Sequence, residues 1–267
     1  MFKDITLGQF FPGDTFIHRL DPRSKILITI LYIVIIFLIK NFVGYALLVI
    51  FLALCVINTK IPFKFMIRGL KPVVFFIILT AMFNIFLTAS GKVYFSWRVI
   101  TVTDIGVRNA AFMMIRLIML ILGTSLLTLT TSPIALTDGI ESLLTPIAKI
   151  GFPAHEVSMM MSIALRFIPT LIEETDKIIK AQTARGADFE SGNIIKRVRA
   201  MVPILIPLFL SAFRRADELA TAMECRCYRG GKGRTRLRIL KMGAIDAMAF
   251  LTSAILLAAV IFVNRLF

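Results

Sequence analysis

Five stretches of the chain consist almost entirely of apolar residues, and polar segments separate them. They cover 26–39, 42–58, about 72–89, 110–131 and 245–263. Such runs predict helices that cross a bilayer, because a span needs about 20 predominantly apolar residues. The first run is short, so its ends must include flanking residues or the bilayer must thin. Only Lys40 and Asn41 separate the first two runs, which predicts a transmembrane hairpin.

Two dipeptides predict where helices begin. Asp21-Pro22 precedes the first apolar run, and Ser132-Pro133 follows the fourth. Asp and Ser are favoured as helix caps, and Pro is favoured at the first helical position. We therefore predict a helix start at each of these places.

The connections between the spans carry patterns of their own. Residues 59–71 place basic side chains at helical spacing, which predicts an amphipathic helix on anionic headgroups. These basic residues are Lys60, Lys64, Arg68 and Lys71. Residues 91–106 alternate and are rich in β-branched and aromatic residues, which predicts a small β-hairpin with Tyr94 and Trp97 at the membrane interface.

Arg116 is the single charged residue of the fourth apolar run. A charge inside a bilayer is costly, so such residues snorkel, pair with a neighbour or form a transport site. Its place about two turns from the end of the run favours snorkelling or pairing inside the bundle.

Between residues 132 and 243 no apolar run is long enough to cross a membrane. The pattern predicts a short amphipathic helix over 133–150 and a longer one that begins at Pro153. A third helix is predicted over about 194–224, with the ion pair Arg214–Glu218 on its surface, and Glu173–Lys177 on the helix before it. Residues 201–213 are wholly apolar but too short to span.

Composition and charge agree with a membrane protein. Hydrophobic residues make up 58% of the 267 residues, and mean hydropathy is +0.85. The predicted fold class is an all-α polytopic membrane protein with about five transmembrane helices and long cytosolic or interfacial amphipathic coupling helices. We divide it into a four-span membrane part (1–131), a cytosolic coupling-helix region (132–243) and a last span (244–267).

The net charge of +15 is distributed unevenly over these regions. Most of the 31 Lys and Arg residues precede the first span or lie in 59–71 and 132–243. The positive-inside rule then predicts a cytoplasmic N-terminus and an outside C-terminus. Because the basic segments alternate with apolar runs, we expect no nucleic-acid partner.

Within the coupling-helix region (132–243) the chain repeats a short pattern. The first copy is A-Q-T-A-R-G at 181–186, and the second is A-M-E-C-R-C at 222–227. An Asp precedes each Arg at the same distance, as Asp176 and Asp217. Because each copy closes an amphipathic segment, Arg185 and Arg226 should project from two helix ends. Paired exposed guanidinium groups in so apolar a chain predict a docking site.

No residue pattern typical of an enzyme, a nucleotide site or a metal site was identified. Residues 229–235, R-G-G-K-G-R-T, lack the spacing of a phosphate-binding loop and are interpreted as a flexible basic tether. Cys225 and Cys227 lack four convergent metal ligands, since His18 and His155 are the only histidines. No Ser/His/Asp set is expected either, because both histidines are expected to lie far from any partner. We therefore expect a non-catalytic chain with no cofactor and no metal of its own.

Four segments together resemble the transmembrane T component of energy-coupling factor (ECF) transporters. They are T-S-P-I-A-L-T-D-G-I-E (131–141), S-I-A-L-R-F-I-P-T-L-I-E-E (162–174), A-Q-T-A-R-G-A-D-F (181–189) and A-M-E-C-R-C-Y-R-G-G-K-G-R-T (222–235). The resemblance extends over most of the chain. It implies a scaffold in a prokaryotic plasma membrane that transports nothing by itself.

The resemblance also implies partners. Two cytosolic ABC-type ATPase subunits, which bind the ATP, would dock on the residues Ala184, Arg185, Gly186, Cys225, Arg226 and Cys227. A separate membrane subunit would capture a vitamin or another micronutrient. The second motif departs from the family pattern, because Cys at 227 disfavours the left-handed backbone that Gly allows.

We further predict that an apolar surface contacts the capture subunit, through Met159, Met160, Met161, Leu205 and Leu208. Two other classes stay open. A self-sufficient carrier or channel needs polar residues that face each other across the spans, which offer little beyond Arg116, Asn84 and Asn58. A membrane enzyme needs clustered His or carboxylate residues near one face.

Overall fold

Helices dominate the structure, a computed structural model that describes residues 10–87, 92–97, 100–146, 153–187, 189, 193–230 and 240–266. In chain order the elements are α1 (Pro22–Leu38), α2 (Phe42–Thr59), α3 (Phe63–Leu70), α4 (Val74–Leu87), β1 (Val93–Trp97), β2 (Ile100–Thr103), α5 (Asp104–Thr130), α6 (Pro133–Leu144), α7 (Ala154–Ala184), α8 (Ile194–Cys225) and α9 (Ala244–Leu266). The predicted all-α membrane fold is confirmed, together with the small hairpin that the sequence also predicts.

Both predicted helix starts are present. The Asp21 carboxylate accepts a hydrogen bond from the Arg23 backbone N–H at 2.9 Å, and Pro22 is the first residue of α1. The Ser132 hydroxyl accepts from the Ala135 N–H at 3.3 Å ahead of α6. Each side chain satisfies one of the N–H groups that a helix leaves unpaired at its start.

The predicted β-hairpin is also present, although the helix after it begins earlier than expected. Strands β1 and β2 pair antiparallel. The Thr103 hydroxyl accepts from the Gly106 N–H at 3.1 Å and caps α5, so residues 104–106 belong to the helix. The side chains of Tyr94 and Trp97 are not among those described, so their interface position stays a prediction.

Five apolar helices correspond to the five predicted runs. Helices α2, α5 and α9 have the length and composition of membrane spans. Helix α1 has 17 residues and α4 has 14, and both are apolar. The amphipathic helix α3 packs against α5, because Met66 is fully buried and a Cβ at Gly69 would lie 3.0 Å from the Ser125 hydroxyl. Its contact with headgroups stays a prediction.

The described residues form two compact units. One unit runs from 10 to 140 and from 240 to 266, and the other from 141 to 230. The first contains the five apolar helices, and the second contains α7 and α8. We call them the membrane unit and the two-helix unit. The functional division at residues 131 and 243 stays a prediction.

Helix α5 is the centre of the membrane unit, since α1, α2, α3 and α4 all pack against it. The closest approach is at Gly123, where a Cβ would overlap the ring of Tyr32. The Tyr32 hydroxyl donates to the Met119 carbonyl at 2.9 Å, so this buried side chain leaves no polar atom unpaired. Glycine at 123 therefore fixes how closely α1 and α5 pack.

Polar contacts join α1 and α9 at both ends. The Asp246 carboxylate accepts from the Asp21 N–H at 2.9 Å, and the Asn264 amide donates to the Leu38 carbonyl at 2.7 Å. Residues 246 and 264 of α9 lie about 27 Å apart at the helical rise. This is close to the roughly 30 Å of a hydrocarbon core, so the short helix α1 spans nearly the same distance.

Arg116 is paired inside the bundle. Its Nε donates to the Tyr45 hydroxyl at 3.0 Å, and its Nη2 lies 3.5 Å from the Ile39 carbonyl. The guanidinium also lies 5.7 Å from the centroid of the Phe37 ring. These contacts satisfy the charge where α1 ends, which favours a packing role over a transport site.

Candidate functional site

Helices α7 and α8 of the two-helix unit each end at one copy of the repeated motif. Helix α7 ends at Ala184 and α8 at Cys225, so the next residue in each is the motif Arg. Arg185 and Arg226 are both exposed. Among the described residues neither guanidinium belongs to an ion pair. The prediction that the two Arg residues project from helix ends is confirmed.

Both helix ends have the same hydrogen-bonded cap. In the first, the Gly186 N–H donates to the Thr183 carbonyl at 2.9 Å and the Ala187 N–H to the Gln182 carbonyl at 3.0 Å. In the second, the corresponding bonds are Cys227 to Glu224 at 2.8 Å and Tyr228 to Met223 at 3.0 Å. This pattern is the Schellman motif, and the Arg occupies the C-cap position of each helix. The backbone around each Arg is thus held by the same hydrogen bonds.

The residue after each Arg has a left-handed backbone, with φ of +89° at Gly186 and +57° at Cys227. The left-handed backbone that Cys at 227 disfavours is therefore present in the second motif as well. The two cap hydrogen bonds hold Cys227 there, although a side chain in this region costs about 1–2 kcal/mol.

Cys227→Gly is therefore expected to stabilise the chain slightly. Relief of the left-handed strain exceeds the extra flexibility of Gly in the unfolded state, which costs about 0.5–1 kcal/mol. The matched variant Gly186→Cys should be destabilised by a similar amount, although a Cβ there meets no atom within 4 Å. Thermal unfolding of both purified variants tests this, and a clear loss of stability in Cys227→Gly would contradict it.

A polar contact joins α7 and α8 where they cross. Arg215 Nη2 donates to Glu174 Oε2 at 3.1 Å. A hydrogen bond from the Ser211 hydroxyl, together with the Arg215 charge, holds the pKa of Glu174 below its ordinary value. We call Glu174, Ser211 and Arg215 the crossing contact. It holds the two helices together through charge-assisted hydrogen bonds.

Sequence reasoning missed the crossing contact. The predicted pairs Glu173–Lys177 and Arg214–Glu218 are not among the ion pairs of the described residues, so this expectation is wrong. A signal was present in the repeat, since Glu174 precedes Arg185 by 11 residues and Arg215 precedes Arg226 by 11.

The two motif Arg residues lie on opposite sides of the crossing contact. Beyond it, Gln182 of α7 approaches the Pro203 carbonyl of α8, at 3.5 Å, so the helices run antiparallel. On the other side, Phe167 and Leu219 line one apolar groove between the helices. At the helical rise each arm is about 17 Å long, so the two Arg residues are separated by up to about 33 Å along the helix axes.

Helix α8 exposes a continuous apolar surface, which we call the α8 apolar surface. It consists of Met201, Leu205, Ile206, Phe209, Leu210 and Phe213, each more than half exposed. Soluble proteins rarely leave so large an apolar patch open to water, so this patch must be covered. Of the predicted capture contacts, Met160, Met161 and Leu205 are exposed, whereas Met159 and Leu208 are half-buried.

The two histidines have hydrogen-bond partners, contrary to expectation. His155 Nδ1 lies 3.1 Å from Glu141 Oε1, and His18 Nδ1 lies 2.6 Å from the Thr15 hydroxyl. Among the described residues no three His, Cys, Asp or Glu side chains are grouped to hold a metal ion. Most of the basic tether, from 231 to 235, lies outside the described residues.

These features define the class: an α-helical, multi-pass membrane protein with a two-helix unit beside its membrane helices in the sequence. Residues 13–237 match the family model CbiQ, described as cobalt transport protein. The chain is 57% identical to the energy-coupling factor transporter transmembrane protein EcfT of Clostridium kluyveri over 257 residues, which are 96% of this chain and 95% of the relative. It is 48% identical to EcfT of Bacillus subtilis over 265 residues, 99% of this chain and 100% of the relative.

A further relative, EcfT of Thermosediminibacter oceani, is 57% identical over 254 residues, 95% of this chain and 96% of the relative. The chain therefore belongs to the family of energy-coupling factor transporter transmembrane proteins. The resemblance inferred from the two Arg motifs is confirmed.

Proposed function

We propose that this chain is the non-catalytic membrane scaffold of an ATP-driven importer. Two cytosolic ABC-type ATPase subunits bind and hydrolyse ATP, and a separate membrane subunit captures a vitamin or another micronutrient. The scaffold joins the two processes. Family membership supports this role, since the relatives are named as transmembrane proteins of energy-coupling factor transporters.

The matching geometry of the two motifs carries the proposal. Arg185 and Arg226 occupy the same capping position, with the same cap hydrogen bonds and the same distance from the crossing contact. Two equal docking ends suit two ATPase subunits related by a twofold axis. An Arg at a helix C-terminus complements the helix dipole and offers a planar fork of donors to carboxylates or carbonyls.

The helices between the docking ends transmit the motion. When ATP binding or hydrolysis moves the ATPase subunits, each helix end moves with the subunit that holds its Arg. The crossing contact keeps α7 and α8 in register, so the displacement reaches the α8 apolar surface. That surface, with Met160 and Met161, contacts the capture subunit and changes its position in the membrane.

The distribution of basic and apolar segments along the chain supports a proposed placement in the membrane. The basic segments lie in the cytoplasm with the N-terminus, and the C-terminus lies outside the plasma membrane of a prokaryotic cell. No cofactor belongs to the chain, because the ATP is held by the partner subunits. The alternative, a self-sufficient carrier or channel, gains no support from Arg116, which is paired inside the bundle.

Co-purification tests the proposal directly. We expect the chain, expressed with the ATPase and capture subunits of the same organism, to purify as a complex that hydrolyses ATP. The chain purified by itself should hydrolyse no ATP, and vesicles that contain it alone should take up no micronutrient. Transport by the isolated chain would favour the carrier, and ATP turnover by it would contradict the scaffold.

A further inference from the structure

The membrane unit contains a cavity of about 340 Å³ among α1, α2, α5 and α9. Its walls are mainly apolar and include Ile28, Phe51, Leu52, Leu126 and Leu127. Lys25 lies near one end of the cavity and Tyr32 farther along α1, about 10 Å away at the helical rise. The cavity therefore extends from the beginning of α1 into the apolar interior of the bundle.

The cavity is open at the side. Phe16, Leu54 and Met248 line it and are 45%, 56% and 59% exposed. In a membrane, side chains of α2 and α9 at this opening face lipid. Apolar cavities of about 150 Å³ stay free of water and bind benzene, and this cavity is larger and also mainly apolar. A hydrocarbon chain from the surrounding leaflet can enter through this opening.

Lys25 gives the cavity one charged end. The residue is 6% exposed, and its ammonium donates to the Thr130 carbonyl at 2.8 Å and to the His18 carbonyl at 3.1 Å. An ammonium has three N–H donors, so these two bonds leave one further donor. Among the described residues no carboxylate lies within 4.0 Å of Lys25 Nζ.

Two carboxylates at the beginning of α1 and α9 are engaged by backbone amides. Asp246 accepts from the N–H groups of Asp21 and Gly243, and Asp21 accepts from that of Arg23. The charge of Asp246 acts on Lys25 only from beyond 4.0 Å, so the buried ammonium has no direct ion pair. An anion at this end of the cavity would therefore stabilise it. Lys60 and Lys241, exposed near the same ends of α2 and α9, add positive charge.

We propose that the cavity binds an anionic phospholipid of the leaflet in which α1 begins. One acyl chain fills the apolar space towards Tyr32, and the phosphate lies against Lys25. Lys25 is one turn into α1, a depth at which a helix beginning in the headgroup region meets lipid phosphates. The proposal does not depend on the partner subunits, since every residue that it uses belongs to the membrane unit.

Two short-chain lipids with identical tails test the charge preference. The purified chain in detergent is titrated with dioctanoyl phosphatidylglycerol, which is anionic, and separately with dioctanoyl phosphatidylcholine, which has no net charge. Bound lipid is counted by native mass spectrometry, and affinity is taken from the shift in Tm. We expect phosphatidylglycerol to bind about fivefold more tightly. Equal affinity for the two lipids would overturn the proposal.

Three variants separate the charge from the cavity. Lys25→Met should remove the preference while both lipids still bind. Ala249→Phe, which fills the cavity from α9, should weaken both lipids at least tenfold. Ala247→Phe is the matched control, because Ala247 is exposed on the same helix and does not line the cavity. It should leave both affinities unchanged.

Each variant is compared with its own Tm in the absence of lipid, so a general loss of stability is not mistaken for lost binding. If Lys25→Met does not fold, Ala249→Phe and its control Ala247→Phe still decide whether the lipids bind in the cavity. Unchanged lipid binding in Ala249→Phe would show that the lipids bind elsewhere, and a preference retained in Lys25→Met would show that Lys25 does not select the headgroup. Either result contradicts the proposal.

Discussion

Replacing Arg185 and Arg226 together by Ala is expected to detach the ATPase subunits and abolish uptake. If each guanidinium is buried in a groove of an ATPase, its removal leaves partner groups unpaired, at a cost of about 3–5 kcal/mol. If each only meets lipid headgroups, its contribution is about 1 kcal/mol. A loss of 3 kcal/mol is roughly a hundredfold in affinity, which a pull-down detects.

Single replacements should be milder for assembly than for transport. When one Arg is lost, the other contact keeps the partner at a high effective concentration, so some complex remains. Transport should nevertheless fall sharply, because one helix end no longer follows its ATPase. A Glu at either site should be worse than Ala, and Lys should rescue only in part because it lacks the planar fork.

The chain offers matched controls for this series. Arg166 on α7 and Arg214 on α8 are exposed and lie well before the helix ends. Arg166→Ala and Arg214→Ala remove the same charge, and we expect assembly and uptake close to the unmodified protein. The measurements are pull-down of the ATPase subunits and uptake of labelled vitamin. A double Ala variant at 185 and 226 that assembles and transports normally would rule out the coupling role.

Leu205→Glu is expected to release the capture subunit while the ATPase subunits stay bound. Leu205 is 58% exposed on the α8 apolar surface. Burying an unpaired carboxylate at an apolar interface costs several kcal/mol, enough to dissociate a contact of ordinary affinity. Leu208→Glu should act in the same direction, although Leu208 is half-buried and its replacement also disturbs packing.

The control for this prediction is Leu205→Met, which keeps an apolar side chain of similar volume and should preserve the contact. Pull-down from one membrane extract, probed for both kinds of partner, gives the result. If the ATPase subunits are lost first, the docking ends and the apolar surface have been assigned the wrong way round.

Local signals in the sequence predicted most elements of the fold. Asp21-Pro22 and Ser132-Pro133 predicted two helix starts, because caps act on N–H groups only two or three residues away. The ends of α7 and α8 followed from the repeat. The contact between Glu174 and Arg215 was missed, since it depends on how two helices cross, which local spacing does not fix.

Other differences also have physical reasons. Cys227 keeps a left-handed backbone because the cap hydrogen bonds outweigh the cost that its side chain imposes. The contact between His155 and Glu141 joins residues on either side of a connection that the sequence pattern does not define. The hydrogen-bond partners of Arg116 depend on how the connection between α1 and α2 is placed against α5, which the sequence pattern does not fix.

The spacing between the crossing contact and the motifs sets the direction of each motif Arg around its helix axis. Eleven residues separate Glu174 from Arg185, and eleven separate Arg215 from Arg226. At about 100° per residue this is three full turns and about 20° more, so each motif Arg lies on nearly the same azimuth as its crossing residue. Deleting one residue from either arm would turn its Arg by about 100° while leaving the cap sequence intact. The phase of the helix, as much as the motif at its end, thus sets the direction in which each guanidinium points.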